Sequence, residues 1–530
     1  MSRHAALVAA GILLSRIAGL VRDRVFAHYF GDSDAADVFR AAFRIPNLLQ
    51  NLFGEGVLSA SFIPVYANLL ARKAEDEAAR VASAIFCLLA LVISCLVLAG
   101  IGATPLMIHV IAPGFKGAKL DLCVSLVRIL FPGAGLLVIS AWCLGILNSH
   151  RRFFASYTAP VAWNLVMIAS LCGFGGRMGQ FPLTHVLAWG SVIGSALQVG
   201  VQLPQLLPLV HRFRISLGLT MASVQTIIRN FMPVLVSRGV VQISAYVDTM
   251  IASFLPTGCL AALVYAQTLY VLPVSLFGMS VSAAELPALS SALGESGEAG
   301  AYLRSRLNAG LRQIALFIVP SAMGFLTLGD VIAGAIYQTG RFTHGDSVYV
   351  WAILAGSSIG LLATTLGRLY ASAFYALRDT RTPLRFAIAR VAVTGLLGYL
   401  CALPLPPLLG LDPRWGVVGL TASAGLAGWL EFALLRRSLN ARIGRTGLSA
   451  PFLGRLWTAA AAAAAAGWCV KLAMAMGRGH PVYLALGCLC TYGIVYFALV
   501  SALGVPEIGG LIRRVAGVIR GSRGTRGGPG

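Results

Sequence analysis

The sequence predicts an all-α polytopic membrane protein of about 14 transmembrane helices, arranged as two pseudo-symmetric six-helix lobes plus two C-terminal helices. Three observations carry that prediction. Apolar blocks of about 20 residues recur along the chain between short polar turns, the length a helix needs to cross a hydrocarbon core. Mean hydropathy is +0.81 and only 11% of residues are charged, too few to cover a soluble protein of 530 residues. The blocks do not alternate in polarity over about 10 residues as barrel strands do. In lipid only helices and closed barrels satisfy their own backbone.

The expected spans are 5–30, 35–70 (bent at Pro46), 79–112, 122–148, 158–175, 182–210, 231–255, 258–292, 309–337, 347–376, 384–404, 415–436, 454–476 and 481–504. Arg3 and the apolar run 5–14 fit a signal peptide loosely. Arg16 follows at once and no small-x-small cleavage site precedes it, so a retained first helix is expected. The net charge of +22 would suit nucleic acid, but its placement argues against that partner. Counting alternate loops from a cytoplasmic N-terminus puts 26 of the 41 Lys and Arg on the cytoplasmic side, Arg390 among them, and 6 on the other. That asymmetry follows the positive-inside rule and places both termini in the cytoplasm.

An internal repeat organises the chain. LLSR (13–16) recurs as LVSR (235–238), and FGDSD (30–34) corresponds to FLPTG (254–258). Pro46 corresponds to Pro273, LFG (52–54) to LFG (276–278), and FIPVY (62–66) to ELPAL (285–289). Five matches in order at a near-constant offset indicate duplication of a six-helix unit. The division is therefore an N-lobe at 1–215, a C-lobe at 216–440, helices 13 and 14 at 441–505 with a possible lipid-tail groove, and a basic cytoplasmic tail at 506–530. Parallel repeats of this kind are a known transporter plan, with the substrate near the midplane between the halves. Pro46 and Pro273 are the expected conformational positions.

The first two helices hold the chemistry. Arg16 lies about 16 Å from the start of helix 1 and about 21 Å from its end, near the midplane. A charge there costs at least about 2.5–3.5 kcal/mol, so it faces protein or a wet cavity. Arg16 and Asp23 share a face, as do Ser15 and Arg22 on an adjacent strip. On helix 2, Asp37, Arg40, Arg44, Asn47 and Asn51 form one polar stripe, followed by Gly54, Glu55 and Gly56. The structural alternative pairs Arg16 with Asp23, and Arg40 or Arg44 with Asp37. Arginines outnumber carboxylates here, and the guanidinium fork suits phosphate. Arg24, nearer the outer end, is placed to snorkel. Arg238, the repeat partner of Arg16, is a candidate from the second lobe. Arg128 and Arg368 read as structural, and the alanines 459–466 suit close packing or a groove for a lipid chain.

The ten cysteines are scattered through apolar blocks and the eight histidines are dispersed, so neither a disulfide framework nor a metal site is expected. No Walker-type loop, GxSxG or HExxH occurs, so neither an enzyme nor a cofactor is expected.

The segment SRIAGLVRDRVFAHYFGDSDAADVFRAAFRIPNLLQNLFGEGVLSASFIPVY (15–66) resembles the N-terminal signature of the MurJ (MviN) family of bacterial lipid II flippases, in the MOP superfamily. QTGRFT (338–343) and ALRDTRTP (376–383) resemble later family motifs, so the likeness covers nearly the whole chain. It implies a transporter in the bacterial cytoplasmic (inner) membrane that moves the undecaprenyl-diphosphate-linked peptidoglycan precursor outward by alternating access, without ATP. The implied cavity residues are Ser15, Arg16, Arg22 and Asp23 on helix 1, and Asp37, Pro46, Asn47 and Glu55 on helix 2. Helices 13 and 14 form a lipid-tail groove in the family. The implied partners are lipid II, membrane lipids and the cell-wall synthesis machinery, with the chain acting as a monomer. Two departures stand out: Gln50 and Thr268 occupy positions where the family pattern has arginine. Arg44 and Arg238 are the candidates to compensate. The alternatives are export of another polyprenyl-linked oligosaccharide and cation-coupled multidrug export within the same superfamily.

Overall fold

The computed structural model describes residues 3–210, 213–282, 299–377, 379–475 and 480–508; within these, side chains are described except at 3–10, 12, 153–155, 157, 236–238, 240, 241, 243–245, 299 and 475. The described residues contain helices and no strand. The first helices are α1 (Arg3–Phe30), α2 (Asp34–Phe53), α3 (Glu55–Ser61), α4 (Ile63–Ala71), α5 (Glu75–Ile111), α6 (Ala118–Ser149), α7 (Phe153–Phe174) and α8 (Gln180–Leu206). Then come α9 (Ala222–Ala252), α10 (Cys259–Pro273), α11 (Ala299–Tyr337), α12 (His344–Ala376), α13 (Arg381–Ala402), α14 (Gly416–Ile443), α15 (Ala450–Ala475) and α16 (Pro481–Ala502). Among the described residues, ten helices are at once long and apolar enough to cross a bilayer, which makes this a multi-pass membrane protein. The helix α2, with Asp34, Asp37, Arg40 and Arg44 in its 20 residues, is not one of the ten.

Two compact units divide the chain: residues 1–261 with 339–343, and residues 262–338 with 344–530. In the first, α6 is the central helix, packed against α2, α5 and α8, while α7 joins α8 to α1. In the second, α12 is central, between α11 and α14; α13 packs on α14, and the α15–α16 pair packs on α11.

Several helices start earlier than apolarity alone predicts. The helix α5 begins at Glu75 and carries Glu75, Asp76 and Glu77 in its first turn, where carboxylates complement the positive end of the helix dipole. Apolar windows exclude such turns.

Pro46 does not break helix 2. The helix α2 runs through it, and the interruption falls at Gly54, whose N–H bonds the Gln50 carbonyl at 2.8 Å. Pro46 is buried in a well-packed helix, so the loss of one backbone bond is absorbed. At Gly54 a Cβ would collide with the Gln50 carbonyl, so the turn there requires glycine. At Pro273 the α-helix does end, and a π-helical turn, Val274–Met279, follows. It brings Gly278 against Thr365 of α12, with no room for a Cβ. Each LFG of the repeat thus marks an irregular turn. ELPAL and the basic tail 513–530 lie outside the described residues.

The ALRDTRTP motif ties the start of α13 to the end of α14. Asp379 accepts the Thr382 hydroxyl at 2.7 Å, the Arg381 and Thr382 N–H groups, and the Arg442 guanidinium at 2.7 Å. The Thr382 hydroxyl, with its N–H and Arg442, holds this carboxyl below the usual carboxylate range. A depressed carboxylate stabilises above its unfolded value and loses that contribution only as pH falls through the folded one, so the tie persists throughout neutral pH.

The contact of α12 with α14 depends on glycine. A Cβ on Gly360 would strike the Gly425 backbone. We expect Gly360→Ala to destabilise the purified protein by about 1–3 kcal/mol through overpacking. Gly102→Ala, where a Cβ meets nothing within 4 Å, should leave the thermal unfolding midpoint unchanged or slightly raised.

Candidate functional site: a cationic face on α1 and α2

The end of α1 sets the position of everything that follows. A helix leaves its last four carbonyls without helical partners. Here the Ala27 carbonyl accepts from Gly31 N at 2.9 Å and the His28 carbonyl from Arg341 N at 2.9 Å. The Gln180 side chain donates to the carbonyls of Tyr29 and Phe30 at 3.2 and 3.0 Å. The QTGRFT motif is therefore a cap for α1, reinforced by a 2.9 Å bond between His28 Nδ1 and the Thr339 hydroxyl. Gly31 and Gly340 both sit at φ +55, where only glycine is unstrained, and a Cβ on Gly340 would collide with the His28 carbonyl.

With α1 held, Asp23 becomes the hub of the charged face. It is 4% exposed, and its Oδ1 accepts from Arg22 at 3.0 Å and from Arg40 at 3.3 Å. Each guanidinium also lies over an aromatic ring: Arg22 over Trp163 of α7 at 5.0 Å, Arg40 over Phe26 at 4.3 Å. The alternative pairing of Asp23 with Arg16 is not what the structure shows. Arg16 is exposed and makes no hydrogen bond or ion pair among the described residues. Two guanidinium groups on one carboxylate leave the cluster positive, before Arg16 is counted.

Asp37 is equally buried, at 3%, and pairs with neither arginine. Its two oxygens accept the N–H groups of Gly258 and Ala261, each at 2.8 Å, so a carboxylate of α2 caps the N-terminus of α10. Asp34 supports the same corner, accepting the Thr257 hydroxyl at 2.6 Å and pairing with Lys119.

Arg44 turns toward α9. Its guanidinium donates to the Thr249 hydroxyl at 2.7 Å, and its carbonyl accepts the Tyr246 hydroxyl at 3.0 Å. Asn51 donates to Gln242 of α9 at 3.3 Å. Ser15 and Asn47 are half-buried, and Glu55 is exposed at the first turn of α3. Arg238 lies on α9, with its side chain outside the described residues. Thr268 bonds back to the Val264 carbonyl at 2.9 Å.

The structure thus brings together Arg22, Asp23 and, in addition, Arg40. Sequence reasoning placed Arg40 in the helix 2 stripe without choosing it as a site residue; its spacing from Asp37 and Arg44 was the available signal. Trp163, Thr249 and Tyr246 carry no comparable signal, because they reach the face from helices remote in sequence.

Fold and charged face together define a multi-pass helical membrane protein with Arg22 and Arg40 gathered on Asp23 of α1. The model of the lipid II flippase MurJ family matches residues 26–487. A probable lipid II flippase MurJ of Rhizobium tropici is 33% identical over 447 residues, covering 82% of this chain and 80% of that protein. The lipid II flippase MurJ of Burkholderia cenocepacia is 30% identical over 512 residues, covering 93% and 95%. A solved lipid II flippase MurJ in an inward closed conformation aligns over 95% of this chain and 100% of its own, with a TM-score of 0.77 and 23% identity. An inward-facing MATE-family multidrug resistance transporter of the MOP superfamily aligns over 82% and 98%, with a TM-score of 0.64 and 16% identity, a likeness of fold. The chain belongs to the lipid II flippase MurJ family, a family of transporters rather than enzymes.

Removing the Asp37 cap should be visible without any transport assay. Asp37→Ala orphans two N–H groups at a buried helix start, at about 1–3 kcal/mol for each unsatisfied group. The thermal midpoint of the purified protein should fall clearly; an unchanged midpoint would show that water satisfies both donors.

Proposed function

We propose that this chain flips lipid II, the undecaprenyl-diphosphate-linked peptidoglycan precursor, from the cytoplasmic to the outer leaflet of the bacterial inner membrane by alternating access. The observation that carries the reading is the excess of guanidinium over carboxylate on α1 and α2, with Arg22 and Arg40 sharing Asp23. A diphosphate offers several acceptor oxygens in the geometry an arginine fork matches. On this reading Arg22 exchanges Asp23 for phosphate when substrate arrives and returns to it when substrate leaves. Arg16, Ser15, Arg44, Asn47, Glu55 and Arg238 complete the headgroup contacts, while Asp37 positions α10. Such an exchange gives the loaded and empty proteins different conformational preferences, which alternating access requires.

The distribution of Lys and Arg supports cytoplasmic termini. The chain works as a monomer among membrane lipids, passing substrate to the cell-wall synthesis machinery. Gln50 and Thr268, neutral where the resemblance implies arginine, favour one second reading: export of another polyprenyl-diphosphate-linked oligosaccharide through the same face. Cation-coupled drug export fits poorly, because a net positive face repels cationic drugs.

Complementation tests the proposal. In cells depleted of their resident lipid II flippase, the wild-type chain should restore growth. Arg16→Ala and Arg22→Ala, at matched membrane levels, should not. Growth with all three would assign those arginines a structural role. Failure of a folded wild type would move the substrate to another polyprenyl-linked precursor.

A further inference from the structure

The second unit contains a charged cluster of its own. Arg390, which the loop count placed outside the membrane, lies within α13, on the strip of buried residues Pro383, Thr394 and Gly398. Its Nε is 3.4 Å from Glu431 Oε2 on α14, an interhelical ion pair inside the helix layer. Arg368 lies on α12, one turn beyond Thr364, whose hydroxyl bonds that of Tyr270 from α10 at 2.8 Å.

The surroundings of Arg368 are unusual. The residues beside it, 365–367 and 369–370, are buried, yet Arg368 itself is exposed. It nevertheless lies within Coulombic reach of Tyr270, Arg390 and Glu431, which come from three other helices. An exposed side chain ringed by polar groups of neighbouring helices lines a recess, whereas a lipid-facing one is ringed by apolar groups. The glycines explain where the recess begins. The helices α12 and α14 meet backbone to backbone at Gly360 and Gly425, and Thr364 seats against Gly428. Beyond that contact, toward Arg368 and Glu431, bulkier polar side chains replace the glycines.

Charge balance then asks for an anion. The Arg368 guanidinium makes no hydrogen bond or ion pair among the described residues, and Glu431, paired with Arg390, is the carboxylate both arginines share. Arg368 is about 12 Å from the end of α12, at 1.5 Å per residue, where an uncompensated guanidinium is costly. We propose that Arg368 and Arg390, with the hydroxyls of Tyr270 and Thr364, bind a phosphate group within the second unit. Two guanidinium forks supply donors for the several oxygens of a phosphate, the bonded Tyr270–Thr364 hydroxyl pair adds at most one more, and the surplus positive charge matches it. The phosphate belongs either to a phospholipid headgroup or to the diphosphate of a polyprenyl carrier; the second source rests on the flippase reading.

Native mass spectrometry of the full-length detergent-solubilised protein tests this with three probes: undecaprenyl diphosphate, dioleoylphosphatidylglycerol and, as a phosphate-free control, dioleoylglycerol. Arg368→Gln should weaken retention of a phosphate probe about tenfold, the scale of one charge-assisted hydrogen bond, and leave dioleoylglycerol unchanged. Loss for undecaprenyl diphosphate alone assigns the recess to the carrier. Loss for phosphatidylglycerol, with or without the other, assigns it to membrane lipid phosphate. Wild-type retention of both by a folded Arg368→Gln protein overturns the proposal. If that variant does not fold, Thr364→Val and Tyr270→Phe decide, and unchanged retention in both overturns it equally. Arg22→Gln serves as the comparison: if the wild type fails to retain undecaprenyl diphosphate, or Arg22→Gln retains it fully, the reading of the α1–α2 face fails. An Arg368-dependent loss of phosphatidylglycerol would still stand.

Discussion

A charge in hydrocarbon has no water to satisfy it, so its place in the fold is dictated by the place of its partner. Asp23 shows the constraint at its tightest, holding Arg22 of its own helix and Arg40 of the next on a single oxygen. The second unit obeys the same rule with Arg390 and Glu431, and again with Lys471 of α15, whose ammonium lies 2.6 Å from Asp330 of α11 and over the Trp468 ring. The pairs Arg40–Asp23, Arg390–Glu431 and Lys471–Asp330 each bridge two helices. Removing one partner of such a pair costs far more than the pair itself contributes, because the other charge stays behind in the low-dielectric layer.

Helix ends pose the same problem with partial charges. The last carbonyls of α1 are satisfied by Gly31, Arg341 and Gln180, and the first N–H groups of α10 by Asp37. Apart from Gly31, these partners are remote in sequence and join segments that no local pattern would link. They also separate two roles among the polar residues of α2: both oxygens of Asp37 are used in holding backbone, whereas the Arg40 guanidinium reaches the Asp23 carboxylate and the Arg44 guanidinium the Thr249 hydroxyl. A polar stripe on a helix is therefore not one functional surface. Its members divide according to what the neighbouring helix offers.

Glycine decides where helices touch and where they part. Gly360, Gly425 and Gly428 draw α12 and α14 together, and Gly278 lets the π-helical turn of α10 reach Thr365. Because close contact excludes side chains, the polar groups collect where glycine stops, at Arg368 and Glu431. Packing and chemistry in the second unit are in this sense one arrangement.

The helical class and the number of long spans were legible in sequence, because a bilayer demands about 20 apolar residues per crossing whatever packs around them. The concentration of arginine on the first two helices was legible for the same reason: in an apolar background each charge is conspicuous. What sequence periodicity misjudged were features set by neighbours. Pro46 has the residue type of a break, yet the break is at Gly54, where the chain needs room that only glycine leaves. Asp37 has the spacing of an arginine partner, yet its oxygens are held by backbone N–H groups more than 200 residues away. The sequence by itself determined that charges lie inside the helical layer, since hydropathy is a property of each residue. Only the tertiary structure decided which charge meets which, since a partner is a matter of distance between helices and leaves no trace in the spacing along one.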